Sequence, residues 1–296
     1  MSNFKRGFLI TVLSLFCFSI IEVVGSLAYE GGIGPMSLLT IRFIIASVLF
    51  FLTLLVMKRR NKKIFKIDVK DIGKLLLHTC ILVVHLILFW RGIKEINHVP
   101  TALGIYFIYP FTIVLLKALF FKEKLNRTKK VSLALGIVGM LFAVRYLPVF
   151  SLSGINVLGA SLMFGASLSW PLYMLVGEGL LKKYHPFTIL FYNSILSVTA
   201  YLLLQSFSVT LSEITPSSLY YVSVMGVVST YLAYLTYYIG IKSIKSSNVG
   251  IIGFVKPLIS MCLAFMLLHQ TVTFFQFLGT CLIVSGVYLL YRGEKS

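Results

Sequence analysis

Ten times between residues 7 and 292 the chain stays apolar for about twenty residues before charge, glycine or proline interrupts it. The runs are 7–29, 34–57, 71–91, 97–121, 129–147, 154–177, 185–206, 217–240, 247–268 and 273–292. About 20 residues at ~1.5 Å each span a bilayer core, and a spanning segment without a closed barrel must satisfy its backbone internally, as a helix does. A water-soluble domain is excluded on surface chemistry, because 58% of the residues are hydrophobic and only 12% are charged. The expected fold is therefore all-α and integral to a membrane, with ten transmembrane helices and no soluble domain between them. The first run begins like a signal peptide ("KRGFLITVLSLFCF"). Its length, its Glu22 and the repeat described below favour a retained span. Cys17, Cys80, Cys262 and Cys281 stand singly in separate runs, without metal-ligand or C-x-x-C spacing. No metal and no cofactor are expected.

The net charge of +18 would suit a nucleic-acid partner, but the positions of the charges argue otherwise. If the N-terminus is cytoplasmic, twenty Lys and Arg fall in cytoplasmic segments and only Arg91, Lys94 and Arg145 in outward ones. That is the positive-inside pattern, with some attraction to anionic lipid. Both termini are expected in the cytoplasm of a multi-pass protein of the cell membrane, with no nucleic-acid partner.

The two halves resemble each other. A shift of 147 residues aligns "LGIYFIYPF" (103–111) with "GIIGFVKPL" (250–258), placing Phe107 on Phe254, Tyr109 on Lys256 and Pro110 on Pro257. The same shift aligns Gly139 with Gly286, Arg145 with Arg292 and Glu123 with Gln270, and a shift of 151 aligns Pro35 with Pro186. Constant order and a nearly constant offset mark a repeat, here 7–147 and 154–292. Five spans per half force the second half to enter from the opposite side, so the repeats are expected to be inverted. The charges agree: "KEKLNRTKK" (122–130) is basic, and its counterpart "HQTVT" (269–273) is not.

The chain resembles the drug/metabolite transporter superfamily in its EamA-type ten-span form. Pro35, Arg42 and Phe43 open the second span, "GIKEINHVPTALG" leads into the Pro110 span, Glu123 follows it, and "LGIVG" (135–139) comes next. "GIKSIKSSNVG", Pro257 and "LIVSG" (282–286) repeat the theme. The resemblance covers residues 7–292. It implies movement of small polar metabolites, often amino acids, through a central cavity. Gln270 and Asn193 depart from the pattern, standing where the first half has Glu123 and Arg42.

Ionisable groups deep in a span cost at least about 2.5 kcal/mol on insertion scales, so each needs a partner or a wet cavity. Lys256 lies near mid-depth, either as a cation in the cavity or as a structural lysine paired with an acceptor freed by Pro257. Glu22 and Arg42 lie at matching depths of neighbouring spans and form a candidate ion pair, structural or open to competition from substrate or a proton. His78 and His85 share a helix face, and His85 is the pathway candidate. Lys74, Lys117 and Arg91 lie near span ends and read as snorkelling. Trp90, Tyr109, Trp170, Tyr173, Tyr234 and Tyr238 are aromatic candidates for the pathway, the last two in a stripe with Tyr231. Such a stripe serves equally for helix packing. Pro110, Pro171 and Pro257 are expected to kink their helices.

A P-loop sequence is absent and the histidines are scattered, which argues against ATP use and against an enzyme. The expected function is a secondary transporter, an exporter of a small polar metabolite such as an amino acid, acting by alternating access. It would be proton-coupled through Glu22 or a facilitator, and a monomer or homodimer amid membrane lipid. A lipid or polyprenyl-carrier translocase is the alternative, followed by a membrane-embedded enzyme.

Overall fold

The computed structural model describes residues 3–59, 61–96, 99–144, 156–205, 215–268 and 274–293, and all of the regular structure among them is helical. The helices are α1 (Asn3–Glu30), α2 (Pro35–Lys58), α3 (Val69–Ile96), α4 (Val99–Tyr106), α5 (Tyr109–Phe121) and α6 (Arg127–Val144) in the first half. In the second half they are α7 (Val157–Leu181), α8 (Pro186–Leu204), α9 (Pro216–Val224), α10 (Ala233–Ile252), α11 (Lys256–Leu268) and α12 (Phe274–Gly293). Among the described residues, seven helical segments are long and apolar enough to cross a membrane. The outer surface is apolar, with Val56, Leu119 and Phe120 each more than half exposed. That is the reverse of a soluble surface and suits a lipid solvent.

Proline sets several helix starts. Pro35, Pro186 and Pro216 occupy the first turns of α2, α8 and α9, where the missing N–H has no intrahelical partner to lose. The same chemistry divides the expected span 97–121, which is α4 and α5 interrupted at 107–108. It also divides 247–268, where a 3-10 turn at Gly253–Val255 separates α10 from α11. In both cases the new helix begins one residue before the proline, at Tyr109 and at Lys256. α7 runs on through Pro171. The expected gap between 217–240 and 247–268 shrinks to one residue: Lys245 (φ 67°, ψ 156°) alone is non-helical between the two parts of α10. A π-helical stretch, Met225–Leu232, joins α9 to α10.

Chain links define two faces. α3 and α7 are antiparallel neighbours, since Lys183 Nζ donates to Asp71 (2.9 Å) at one end and Asn156 Nδ2 donates to the Glu95 carbonyl (3.3 Å) at the other. The 59–68 link lies on the first face, carrying exposed Arg59, Lys62, Lys63 and Lys66. It is pinned to the second half by Thr188 Oγ1 donating to the Ile64 carbonyl (2.6 Å) and the Tyr192 hydroxyl donating to the Phe65 carbonyl (2.8 Å). The Lys183 ammonium is held above the usual lysine range by its bond to Asp71.

The main packing pairs are α6 with α12, α3 with α7, α1 with α10, and α2 with α8. The α6–α12 approach is a glycine contact. A Cβ on Gly139 would stand 2.7 Å from the Gly279 carbonyl oxygen and 2.9 Å from the Ile283 nitrogen. On Gly286 it would stand 2.9 Å from the Ser132 carbonyl oxygen. These neighbours are backbone and cannot step aside, the small-residue logic of helices packed in lipid. Gly139→Leu should therefore force α6 and α12 apart and cost about 1–3 kcal/mol, the usual penalty of overpacking. Thermal unfolding in detergent checks this, with Val138→Leu on the exposed side of α6 as the neutral control.

Candidate functional site

Between the halves lies a cavity whose atom-free space, open solvent included, is about 500 Å³. α1 supplies Leu15, Phe18 and Ile21, one face of a 3.6-residue helix. α2 supplies Arg42, and α3 supplies His85, Leu86, Phe89 and Trp90. The first broken span gives Tyr106 and Tyr109, α7 gives Trp170, α10 gives Tyr234 and Tyr237, and the second broken span gives Lys256. Both breaks thus abut the cavity. They also meet each other: the Tyr109 hydroxyl reaches the Gly253 carbonyl at 3.5 Å, and Gly250 has no side chain because Ile113 fills that space.

The polar groups are held by aromatic rings. The Lys256 ammonium lies 5.7 Å from the Tyr106 ring centroid and 5.8 Å from that of Phe107, within cation–π range. Arg42 is fully buried, its guanidinium carbon 5.3 Å from the Phe43 ring and 6.0 Å from Trp90, with Tyr201 and Tyr234 as polar neighbours. His85 Nδ1 faces the Ala166 carbonyl at 3.0 Å. A carbonyl only accepts, so Nδ1 carries the proton and donates. The Trp170 indole N–H donates to the Tyr237 hydroxyl at 3.2 Å, and Phe18 packs edge-on against Trp170, Tyr234 and Tyr237.

Of the residues singled out in the sequence, Lys256, Arg42, His85, Trp90, Tyr109, Trp170 and Tyr234 line this cavity. Tyr173 and Tyr238 do not; both are fully buried one layer behind, with Tyr173 stacked on His78 at 4.2 Å and the Tyr238 hydroxyl bonded to His78 Nε2. Tyr231 turns away and bonds Thr53 Oγ1 at 2.8 Å. Tyr237 takes the place expected of Tyr238. The side chain of Glu22 lies outside the described residues, as do Arg145 and Gln270, and the expected Glu22–Arg42 pair lies outside them with it.

Two features flank the cavity. Towards the Glu95 face, a larger vestibule, about 970 Å³ of atom-free space with open solvent included, is lined by residues 34–37 and Leu39 of the α2 start, by Ile87, Trp90, Arg91, Lys94 and Glu95 of α3, and by Gln205. Towards the basic face the halves are tied by ion pairs. Lys117 is buried rather than snorkelling, because Glu178 on α7 takes its ammonium at 2.8 Å and Glu123 lies 3.9 Å away. Lys129 holds Glu123 at 3.0 Å, and Ser247 Oγ donates to Glu123 at 2.7 Å. Ser246 donates to Glu178 from both its backbone N–H and its hydroxyl. Nothing in the local sequence marks this cluster, since Glu178 and Ser246 are 68 residues apart.

The EamA-like transporter family matches the chain twice, over residues 5–145 and 157–292. An uncharacterized transporter of Archaeoglobus fulgidus is 22% identical over 283 residues, 88% of this chain and 90% of its own. An uncharacterized transporter of Clostridium kluyveri is 22% identical over 304 residues, 98% of this chain and 94% of its own. A solved crystal structure at 17% identity superposes over 99% of both chains with a TM-score of 0.77, a likeness of fold.

Proposed function

The chain belongs to the EamA-like transporter family and is a membrane transporter, and from that premise we propose that it exports a small polar metabolite such as an amino acid by alternating access at the central cavity. The observation that carries this reading is the cavity itself. It lies between the halves, abuts both helix breaks, and combines the cations Arg42 and Lys256 with a wall of aromatic rings. Carboxylate-bearing solutes suit such cations, and apolar or cationic moieties suit the rings.

Ten spans in two inverted halves, 7–147 and 154–292, give the transport cycle its physical basis. Three features support that arrangement. The family matches each half separately. The breaks before Pro110 and Pro257 fall at equivalent positions. Exchanging each helix for its counterpart turns the α3–α7 pair into the α10–α1 pair and maps α6–α12 and α2–α8 onto themselves. Two packings of nearly equal energy are what an inverted repeat offers a transporter, the site staying fixed while the halves rock. The basic face is the cytoplasmic one on the positive-inside rule, and both termini lie there.

Uptake and efflux in proteoliposomes test the proposal, with amino acids as the first solutes. Accumulation that rises with an imposed pH gradient, and loses that response in Glu22→Gln, is the expected result for proton coupling. Full, gradient-driven activity in Glu22→Gln would remove Glu22 from the coupling. Absence of solute movement, together with headgroup movement of a labelled lipid carrier, would replace the metabolite with a lipid substrate.

A further inference from the structure

We propose that Trp90 is the gate between the central cavity and the vestibule. Among the described residues lining these two spaces, Trp90 alone borders both. On its helix, His85, Leu86 and Phe89 face the cavity, and Ile87, Arg91, Lys94 and Glu95 face the vestibule. The indole is 3% exposed, so it is not one of the aromatic anchors that face lipid at a membrane interface.

The ring has a built seat. A Cβ on Gly25 of α1 would fall 2.6 Å from Trp90 Cη2 and 3.1 Å from Cζ3, so the far edge of the indole rests on bare backbone. The indole thereby bridges α3 to α1. Its other neighbours include the Arg42 guanidinium 6.0 Å from the ring and Phe89 edge-on at 5.6 Å. A side-chain wall of this kind opens by a rotamer change or a small shift of the α3 end, without breaking backbone structure. Arg42 borders the cavity as well as the ring, so a solute that engages the guanidinium alters the surface on which the indole rests. Occupancy and gate position are linked by that shared neighbour. The gate deepens the transport reading and rests on it for its purpose, but its existence is a question of access alone.

The test measures access without substrate. With Cys17, Cys80, Cys262 and Cys281 replaced by serine, Leu15→Cys places a reporter thiol in the cavity wall on α1. Proteoliposomes are treated with membrane-impermeant methanethiosulfonate ethyltrimethylammonium, and the modification rate is followed by mass shift. Trp90→Ala should raise the rate at least tenfold, and Trp90→Phe should raise it less. Gly25→Ala, which pushes the ring off its seat without removing it, should also raise it. An unchanged rate in both Gly25→Ala and Trp90→Phe overturns the gate, even if Trp90→Ala fails to fold. Faster labelling with no transported solute would leave the gate standing and remove the transport reading of the cavity. Solute transport with unchanged labelling would do the reverse.

Discussion

Lys256→Met is expected to leave a folded, inserted protein whose transport has fallen by one to two orders of magnitude. The side chain is 7% exposed, its ammonium lies beside the Tyr106 and Phe107 rings, and it borders the cavity from the first residue of α11. A cation buried at mid-depth in a span is unfavourable by at least about 2.5 kcal/mol on insertion scales. The architecture does not require it, since the equivalent first residue of α5 is Tyr109. A charge-assisted hydrogen bond to a solute contributes about 1.5–3 kcal/mol, or about a factor of 10 to 150 in kcat/KM. Methionine keeps the unbranched stem and removes the charge, so lost packing is small. Lys256→Arg should recover part of the activity, because the charge returns with a different reach and fork geometry. Normal transport by Lys256→Met, measured with the solute identified in proteoliposomes, would make the lysine structural.

The all-helical, membrane-spanning character was legible because apolar runs long enough for a bilayer need no tertiary information. The breaks before Pro110 and Pro257 were legible because proline removes a donor locally, whereas α7 runs on through Pro171. Lys256, Arg42 and His85 stood out because charged or titratable side chains are rare in hydrocarbon. The aromatic register was not legible. A regular helix places Tyr231, Tyr234 and Tyr238 on one stripe, but Tyr231 belongs to the π-helical Met225–Leu232, whose wider turns rotate it towards Thr53 on α2. The cavity face therefore carries Tyr234 and Tyr237. The seat of Trp90 on Gly25 was also hidden, since a glycine in a membrane helix is common and its partner lies on a different helix.

The ion cluster on the basic face should show its strength when one charge is removed. Glu178→Gln or Lys117→Met each removes the nearest opposite charge from a side chain 16% exposed or less, which costs up to about 3–5 kcal/mol, less where Glu123 or Ser246 still partners the remaining group. A fall in detergent melting temperature on the order of 5–10 °C is expected from either. The double variant Lys117→Met/Glu178→Gln should lose less than the sum of the two single losses, because neither charge of the pair remains; a strictly additive loss would mean the pair is not coupled. Glu123 adds a pH signature. Burial pushes its carboxyl up, but Ser247 and Lys129 outweigh burial and hold it below its ordinary 4.5. A depressed folded pKa contributes stability that is complete above the unfolded value and is lost as pH falls through the folded one. The parent should therefore lose stability below about pH 4.5, and Glu123→Gln should show a smaller fall over that window. The cluster joins α5 and α6 of one half to α7 and to the Lys245 break of the other. On the proposed alternating-access cycle, opening the cavity to this face would part these bonds. Glu178→Gln should for that reason shift the resting protein towards basic-face access, read as faster thiol labelling of a cavity cysteine from that side. Labelling unchanged in a variant with the expected melting loss would confine the cluster to a structural role.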